Sequence, residues 1–139
     1  MLSLVIRAGT EADLPAVAAI QRASAEAAQW NVGDYLDYDF LVAECDGQIA
    51  GFAVARRTAP DETELLNLAV HPEFRRRGIA RSLLTTLTSS HPGACWLEVR
   101  ESNTAARQFY KSFGFKEIQT RANYYADSGE SGIVMKFHS

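Results

Sequence analysis

Apolar residues along this chain recur at two periods, and the change from one to the other marks out its elements. Leu2-Ser3-Leu4-Val5-Ile6-Arg7 is short and β-branched, and reads as a strand. Thr10 reads as a helix N-cap, with Glu11 and Asp13 favoured by the dipole in the first turn and Pro15 tolerated near the start. The Ala-rich stretch from Leu14 to about Ala28 continues as one helix or two, and Trp30 to Tyr35 reads as a loop. Phe40 to Cys45 and Gln48 to Val54 are β-rich runs joined at Asp46-Gly47, a strong hairpin signal. A further strand, about Glu62 to Val70, ends at His71-Pro72. After Gly78, Ile79, Leu83, Leu84 and Leu87 fall on one helical face until His91-Pro92-Gly93 breaks it. Ala94 to Arg100 returns to strand. Ser102 or Asn103 then caps a helix with the apolar stripe Ala106, Phe109, Tyr110 and Phe113, and Gly114 suits its C-terminal turn. Strands near Phe115 to Ala122 and Ile133 to Phe137 complete the pattern.

The order is β-α-β-β-β-α-β-α-β-β, with hairpin-linked strands at both ends and βαβ units in the middle. That predicts an α+β fold, a mixed sheet covered by helices. No repeat, low-complexity tract or linker divides the 139 residues, so one domain over 1–139 is expected, long enough for its own core. The formal charge of −3, from 14 basic and 17 acidic residues, argues against direct nucleic-acid binding. No apolar run approaches the ~20 residues of a membrane span. The opening apolar stretch, cut at Arg7, is too short for a secretory signal, so a soluble, cytoplasmic protein is expected. Cys45 and Cys95 are expected to be reduced, and His71, His91 and His138 show no metal-ligand spacing, so no metal is expected.

Candidate chemistry concentrates between Leu66 and Arg81. Here a strand runs through a loop into an amphipathic helix, and Arg75, Arg76, Arg77 and Arg81 place four positive charges within seven residues of an acidic protein. Helix N-termini present unpaired N–H groups and a positive dipole end, Gly78 lets a ligand approach the backbone, and Ala80 is too small to block it. A diphosphate is the natural ligand. Neither phosphate-binding glycine motif, G-x-x-x-x-G-K-[ST] or G-x-G-x-x-G, is present, and no G-x-S-x-G elbow supports hydrolase chemistry. In isolation the same arginines would read as a solvated run.

Val70-x-Pro72-x-x-Arg75-Arg76-x-Gly78-x-Ala80 resembles the acetyl-CoA signature of the GCN5-related N-acetyltransferases (GNAT). That resemblance implies a single GNAT-like domain with a mixed central sheet of six to seven strands flanked by about four helices. It also implies acetyl-CoA as co-substrate, with Leu68, Ala69, Val70, Arg75, Arg76, Arg77, Gly78, Ile79, Ala80 and Arg81 forming the cofactor-binding segment. Downstream, Trp96-Leu97-Glu98-Val99-Arg100-x-Ser102-Asn103-x-Ala105-Ala106, Phe109-Tyr110, Gly114-Phe115 and Arg121-x-Asn123-Tyr124-Tyr125 are similar to the RimI-type ribosomal-protein-alanine acetyltransferases. That narrower resemblance implies Glu98 as proton acceptor, Tyr110 as proton donor and Asn103 as a CoA contact. It also implies a peptide or protein N-terminus as acceptor, ribosomal proteins included. Aromatic residues that would pack on the acceptor are Trp30, Tyr35, Tyr124 and Tyr125. Two segments differ from that type: Gln29-Trp30-Asn31 where Pro-Trp-Ser is common, and Glu130-Ser131-Gly132 where Glu-Asp-Ala is common.

The residues lend these roles chemical sense. A protein α-amino group has a pKa of roughly 8, so about a fifth is already neutral near pH 7.4, and a carboxylate suffices as base. Strand alternation puts Glu98 on one face with Trp96, which can desolvate it and raise its pKa. Against this stand a surface Glu98 paired with Arg100, a core Tyr110 with its hydroxyl satisfied, and an Asn103 that only caps a helix. Cys95 reads as a buried, inert thiol. A small-molecule amine acetyltransferase and a non-catalytic acyl-CoA sensor remain open alternatives.

Overall fold

The computed structural model describes residues 3–24 and 27–139. Its strands are β1 (Leu4–Ala8), β2 (Asp39–Cys45), β3 (Gln48–Ala59), β4 (Glu62–Val70), β5 (Ala94–Arg100), β6 (Lys116–Tyr125) and β7 (Glu130–His138). Its α-helices are α1 (Leu14–Ala23), α2 (Ile79–Ser90) and α3 (Thr104–Phe113), with short 3-10 turns at Glu11–Asp13, Val32–Asp37 and Pro72–Phe74. The strands form one seven-stranded sheet in the order β1-β2-β3-β4-β5-β7-β6. β1–β2, β2–β3, β5–β7 and β6–β7 are antiparallel and β4–β5 parallel, so the sheet is mixed as the α+β reading expects. Leu2, placed in the first strand by its pattern, and residues 25 and 26, within the stretch expected to continue as one helix or two, lie outside the described residues. α1 ends at Ala23, short of Ala28. Two compact units share the chain, one of Met1–Arg56 and Leu65–His91, the other of Arg57–Glu64 and Pro92–Ser139.

In the first unit the helix start at Thr10 forms as its sequence suggests. The Thr10 N–H donates to Asp13 Oδ2 at 2.8 Å, and Pro15 occupies the first turn of α1. α1 buries Val17 and Ile20 against Tyr35, Phe40, Val42, Phe52, Val54 and Ala69. Asp46 (φ 52°) and Gly47 (φ 82°) are both left-handed, the geometry that matches a tight turn to the twist of β2 and β3. α2 buries Ile79, Leu83, Leu84 and Leu87, the predicted face. Truncating any one of them to Ala would cost about 2–5 kcal/mol. Among the described residues, no helix is long and apolar enough to cross a membrane.

The second unit rests on an aromatic cluster. Phe115 meets Tyr110 edge to face and Phe137 at a tilt (5.4 Å each), and Phe113 lies 5.2 Å from Phe137. Asn103 caps α3, its Oδ1 accepting from the Ala106 N–H at 3.1 Å, and Gly114 ends it at φ 127°. β4 and β5 pair over Glu62 to Glu64 against Ala94 to Trp96.

Candidate active site

In the first unit β4 hands over to α2 through a shaped loop. The His71 N–H donates to the Ala50 carbonyl at 2.7 Å, and the His71 ring accepts from the Glu73 N–H at 3.1 Å, closing the turn at Pro72. Arg75 is extended, Arg76 left-handed at φ 65° and Gly78 left-handed at φ 77°. Left-handed residues beside right-handed ones turn successive N–H groups inward to form an anion-binding concavity. The first helical bond of α2 is Ser82 N–H to the Gly78 carbonyl at 3.0 Å. The N–H groups of Ile79, Ala80 and Arg81 therefore precede the helical ladder and point out along its positive end.

This loop fits a diphosphate. A Cβ on Gly78 would meet nothing within 4 Å, so the mouth is open, and the φ of Gly78 disfavours any other residue. Arg75, Arg76, Arg77 and Arg81 are exposed around it, with Arg77 lying 5.2 Å over the Phe74 ring. Ile79 is buried as an anchor, and Leu68, Val70 and Ala80 are half-buried. Ala69 belongs to the core, so it contributes backbone to a ligand rather than side chain.

The loop before β2 is held by buried amides that the pattern reading did not assign. Asn67 Nδ2 donates to the Ala28 carbonyl at 3.0 Å and to Tyr35 Oη at 3.1 Å, and its Oδ1 accepts from the Leu68 N–H at 3.0 Å. Gln21 Nε2 donates to the Trp30 carbonyl at 2.6 Å, and the Tyr35 hydroxyl donates to Gln21 Oε1. The expectation that Tyr35 lies open to an acceptor is corrected: it is 1% exposed in the core, because Gln21 and Asn67 supply buried partners for its hydroxyl. Trp30, at 47% exposed, does lie open. The loop itself is turned, with Val32–Asp37 in 3-10 conformation and the Asn31 side chain accepting from the Gly33 N–H.

In the second unit β5 carries the candidate base. Cys95 and Leu97 are buried on one face, and Trp96, Glu98 and Arg100 alternate onto the other. The Glu98 side chain is only 9% exposed. Its Oε1 accepts from Arg121 Nη1 at 3.2 Å, while Oε2 is buried with no hydrogen-bond partner among the described residues, as is Trp96 Nε1. Burial raises the Glu98 pKa above the ordinary glutamate value; Arg121 opposes the rise and nearby Glu64 adds to it. The alternative pairing with Arg100 is not formed. Arg100 instead binds Asp127 (2.9 Å) and Glu130 (3.6 Å) and lies 4.1 Å over the Tyr125 ring.

Tyr124 and Tyr125 meet edge to face at 5.1 Å, with Tyr124 exposed and Tyr125 half-buried. Burial raises the Tyr125 pKa, and the Glu98 carboxylate raises it further. The second unit thus gathers Glu98, Arg121, Tyr124 and Tyr125. Tyr110 is 7% exposed on α3, and burial holds its pKa well above the ordinary phenol value. Its neighbour Cys95 is likewise pushed by burial up to about 12, a neutral thiol, as its strand position suggests. Cys45 and Cys95 are both unbridged. Among the described residues, no group of three His, Cys, Asp or Glu is placed to hold a metal.

Known proteins resemble this chain over most of its length. The family model for the acetyltransferase (GNAT) domain matches residues 37–117. Ribosomal protein bS18-alanine N-acetyltransferase of Salmonella typhimurium is 38% identical over 134 residues, covering 88% of this chain and 89% of that protein. Among solved structures, the ribosomal-protein-S18-alanine N-acetyltransferase from Escherichia coli superposes with a TM-score of 0.84 at 32% identity, over 97% of this chain and 93% of the other. Ard1 from Thermoplasma volcanium superposes with a TM-score of 0.87 at 28% identity, over 96% of each. With the family model covering more than half of its length, the chain belongs to the GNAT family and is an acetyl-CoA-dependent N-acetyltransferase.

Proposed function

We propose that this enzyme acetylates the α-amino group of a protein or peptide N-terminus by direct transfer, with Glu98 as general base and Tyr110 as general acid. All 139 residues act as one catalytic domain in this reading. The observation that carries it is the Glu98 carboxylate, nine-tenths buried and with one oxygen unpartnered. Its basicity is raised by burial while Arg121 keeps the charged form accessible. Such a carboxylate removes a proton from an α-ammonium more readily than a water-exposed one. Relatives that acetylate the N-terminal alanine of a ribosomal protein support the acceptor class.

Acetyl-CoA supplies the activated acyl group. Leu68, Val70 and the N–H groups opening α2 hold its polar arm, with Arg75, Arg76, Arg77 and Arg81 neutralising phosphate and Asn103 adding a contact from the cap of α3. Glu98 takes the proton that leaves the attacking nitrogen, whose lone pair forms the new C–N bond as the C–S bond breaks. Tyr110 gives its proton to the departing sulfur, so that CoA leaves as the thiol, and the tyrosine regains a proton from solvent. Its raised pKa keeps the proton on oxygen until charge on sulfur is nearly complete. Trp30, Tyr124 and Tyr125 offer aromatic surface to the acceptor.

The test is an acceptor screen with acetyl-CoA, covering peptides with N-terminal alanine, polyamines and aminoglycosides, run on the native chain and on Glu98→Gln. Turnover of the peptides, lowered about 10²–10⁴-fold in Glu98→Gln with CoA binding intact, is expected. Activity confined to small amines refutes the peptide acceptor. Undiminished turnover in Glu98→Gln refutes the base, and CoA binding without turnover of any amine refutes catalysis.

A further inference from the structure

Glu98 is gripped from two strands away, and the grip depends on a missing side chain. In the β6–β7 pairing Arg121 stands opposite Gly132, and in the β5–β7 pairing Gly132 stands opposite Arg100, one place along the same face from Glu98. Residues in register point to the same side of a sheet, so the Arg121 side chain must cross position 132 to reach β5. It does so, bringing Nη1 to 3.2 Å from Glu98 Oε1. A Cβ at position 132 would lie 2.5 Å from Glu98 Oε2 and 3.2 Å from its Cγ and Cδ. Gly132 has no left-handed φ that would require glycine, so its role is steric: it is the floor on which the carboxylate lies.

We propose that Arg121 is a positioning residue for Glu98, and that Gly132 is the residue whose bare surface lets the carboxylate and the guanidinium meet. Arg121 occupies Oε1 and fixes the rotamer, so Oε2 is the oxygen left to accept a proton. The groups facing Glu98 are Glu64 from β4 and Arg121 and Tyr125 from β6, while β7 presents only Gly132 and Val134 there. Arg121 is the cation among them, and it also rests 5.0 Å over the Tyr124 ring, so the same side chain links the base to the aromatic surface. Removing it leaves Glu98 buried beside Glu64 without compensation, which favours the protonated carboxyl. This inference rests on Glu98 being the base only for its catalytic consequence.

The experiment follows the Glu98 carboxyl carbon by 13C NMR across pH in the full chain, for the native protein, Arg121→Gln, Arg121→Lys, Gly132→Ala and the surface control Lys116→Gln. Titration of Glu98 is expected to move to higher pH in Arg121→Gln and Gly132→Ala, to return towards native in Arg121→Lys, and to stay put in Lys116→Gln. In parallel, kcat/KM of Arg121→Gln is expected to fall at least about threefold further below native at pH 6 than at pH 9. An unmoved Glu98 titration in Arg121→Gln overturns the proposal, whatever becomes of activity. If the titration moves and the pH profile of kcat/KM does not, the positioning stands and the assignment of Glu98 as base falls. Should Gly132→Ala not fold, the two Arg121 variants decide the matter.

Discussion

Acid stability of the first unit should depend on one carboxylate. Asp13 accepts a two-pronged contact from Arg7, with Oδ2 at 2.8 Å from Nη1 and Oδ1 at 2.9 Å from Nη2, and it also takes the Thr10 N–H. Its side chain is 8% exposed, and these donors, Arg7 foremost, hold its pKa at about 2 against an ordinary 3.8. At 1.36 kcal/mol per pKa unit that displacement is worth about 2 kcal/mol, an upper figure because the Arg7 side chain is 35% exposed and solvent screens it. The sign follows from the folded-state pKa being depressed. The stabilisation is present above the ordinary carboxylate pKa and is lost as pH falls through 3.8 towards about 2. Asp13→Asn removes the charge while keeping the shape, and leaves Arg7 with Glu44 at 3.1 Å as its ion-pair partner. Urea denaturation of the native chain and of Asp13→Asn at pH 7, 5, 3 and 2 checks the reasoning. A native advantage of about 2 kcal/mol at pH 7 that shrinks steadily below pH 4 is expected. An advantage that stays constant down to pH 2 would refute the linkage.

Three further outcomes concern the chemistry. With Tyr110 as the proposed general acid, Tyr110→Phe should lower kcat by about 10²–10⁴-fold and leave CoA binding by calorimetry unchanged. Because burial raises the Tyr110 pKa, its deprotonation should add no alkaline limb to the native profile below about pH 10, and such a limb, absent from Tyr110→Phe, would contradict the burial argument. Replacing Arg75, Arg76 and Arg77 together by Gln should weaken CoA binding about tenfold at low salt and flatten its salt dependence, the exposed charges being screened within a Debye length of about 10 Å at 0.1 M. Equal CoA affinity for both chains at every salt concentration would show that the backbone concavity holds the phosphates unaided.

Features set by short-range geometry are readable from the chain. A helical face repeats every three or four residues, so Ile79, Leu83, Leu84 and Leu87 announce α2; left-handed turns need particular residues, so Asp46-Gly47 and Gly78 announce the hairpin and the turn into α2. Alternation correctly puts Glu98 beside Trp96 on the face opposite Leu97, and the buried setting follows from it. Partners brought from elsewhere in the chain carry no such signal. Arg100 is the cation nearest to Glu98 on the same strand face, yet successive side chains on one face stand ~6–7 Å apart along a strand, so a reach across neighbouring strands competes well. Arg121 arrives from 23 residues away, by a register that only the folded sheet defines and through a gap that exists because position 132 has no side chain. Tyr35 shows the same logic in the other unit. An aromatic residue in a segment without periodicity says nothing of which way it faces, and its burial is decided by Gln21 and Asn67, 14 and 32 residues distant. One trace of that network is visible in the sequence: Asn67 interrupts the inward row Leu65, Asn67, Ala69 of β4. A polar side chain on the buried face of a strand must find partners, so such an interruption predicts that a loop or helix end will be tied down there. Here Asn67 ties down the backbone of Ala28 and Gln21 that of Trp30, whose indole is exposed.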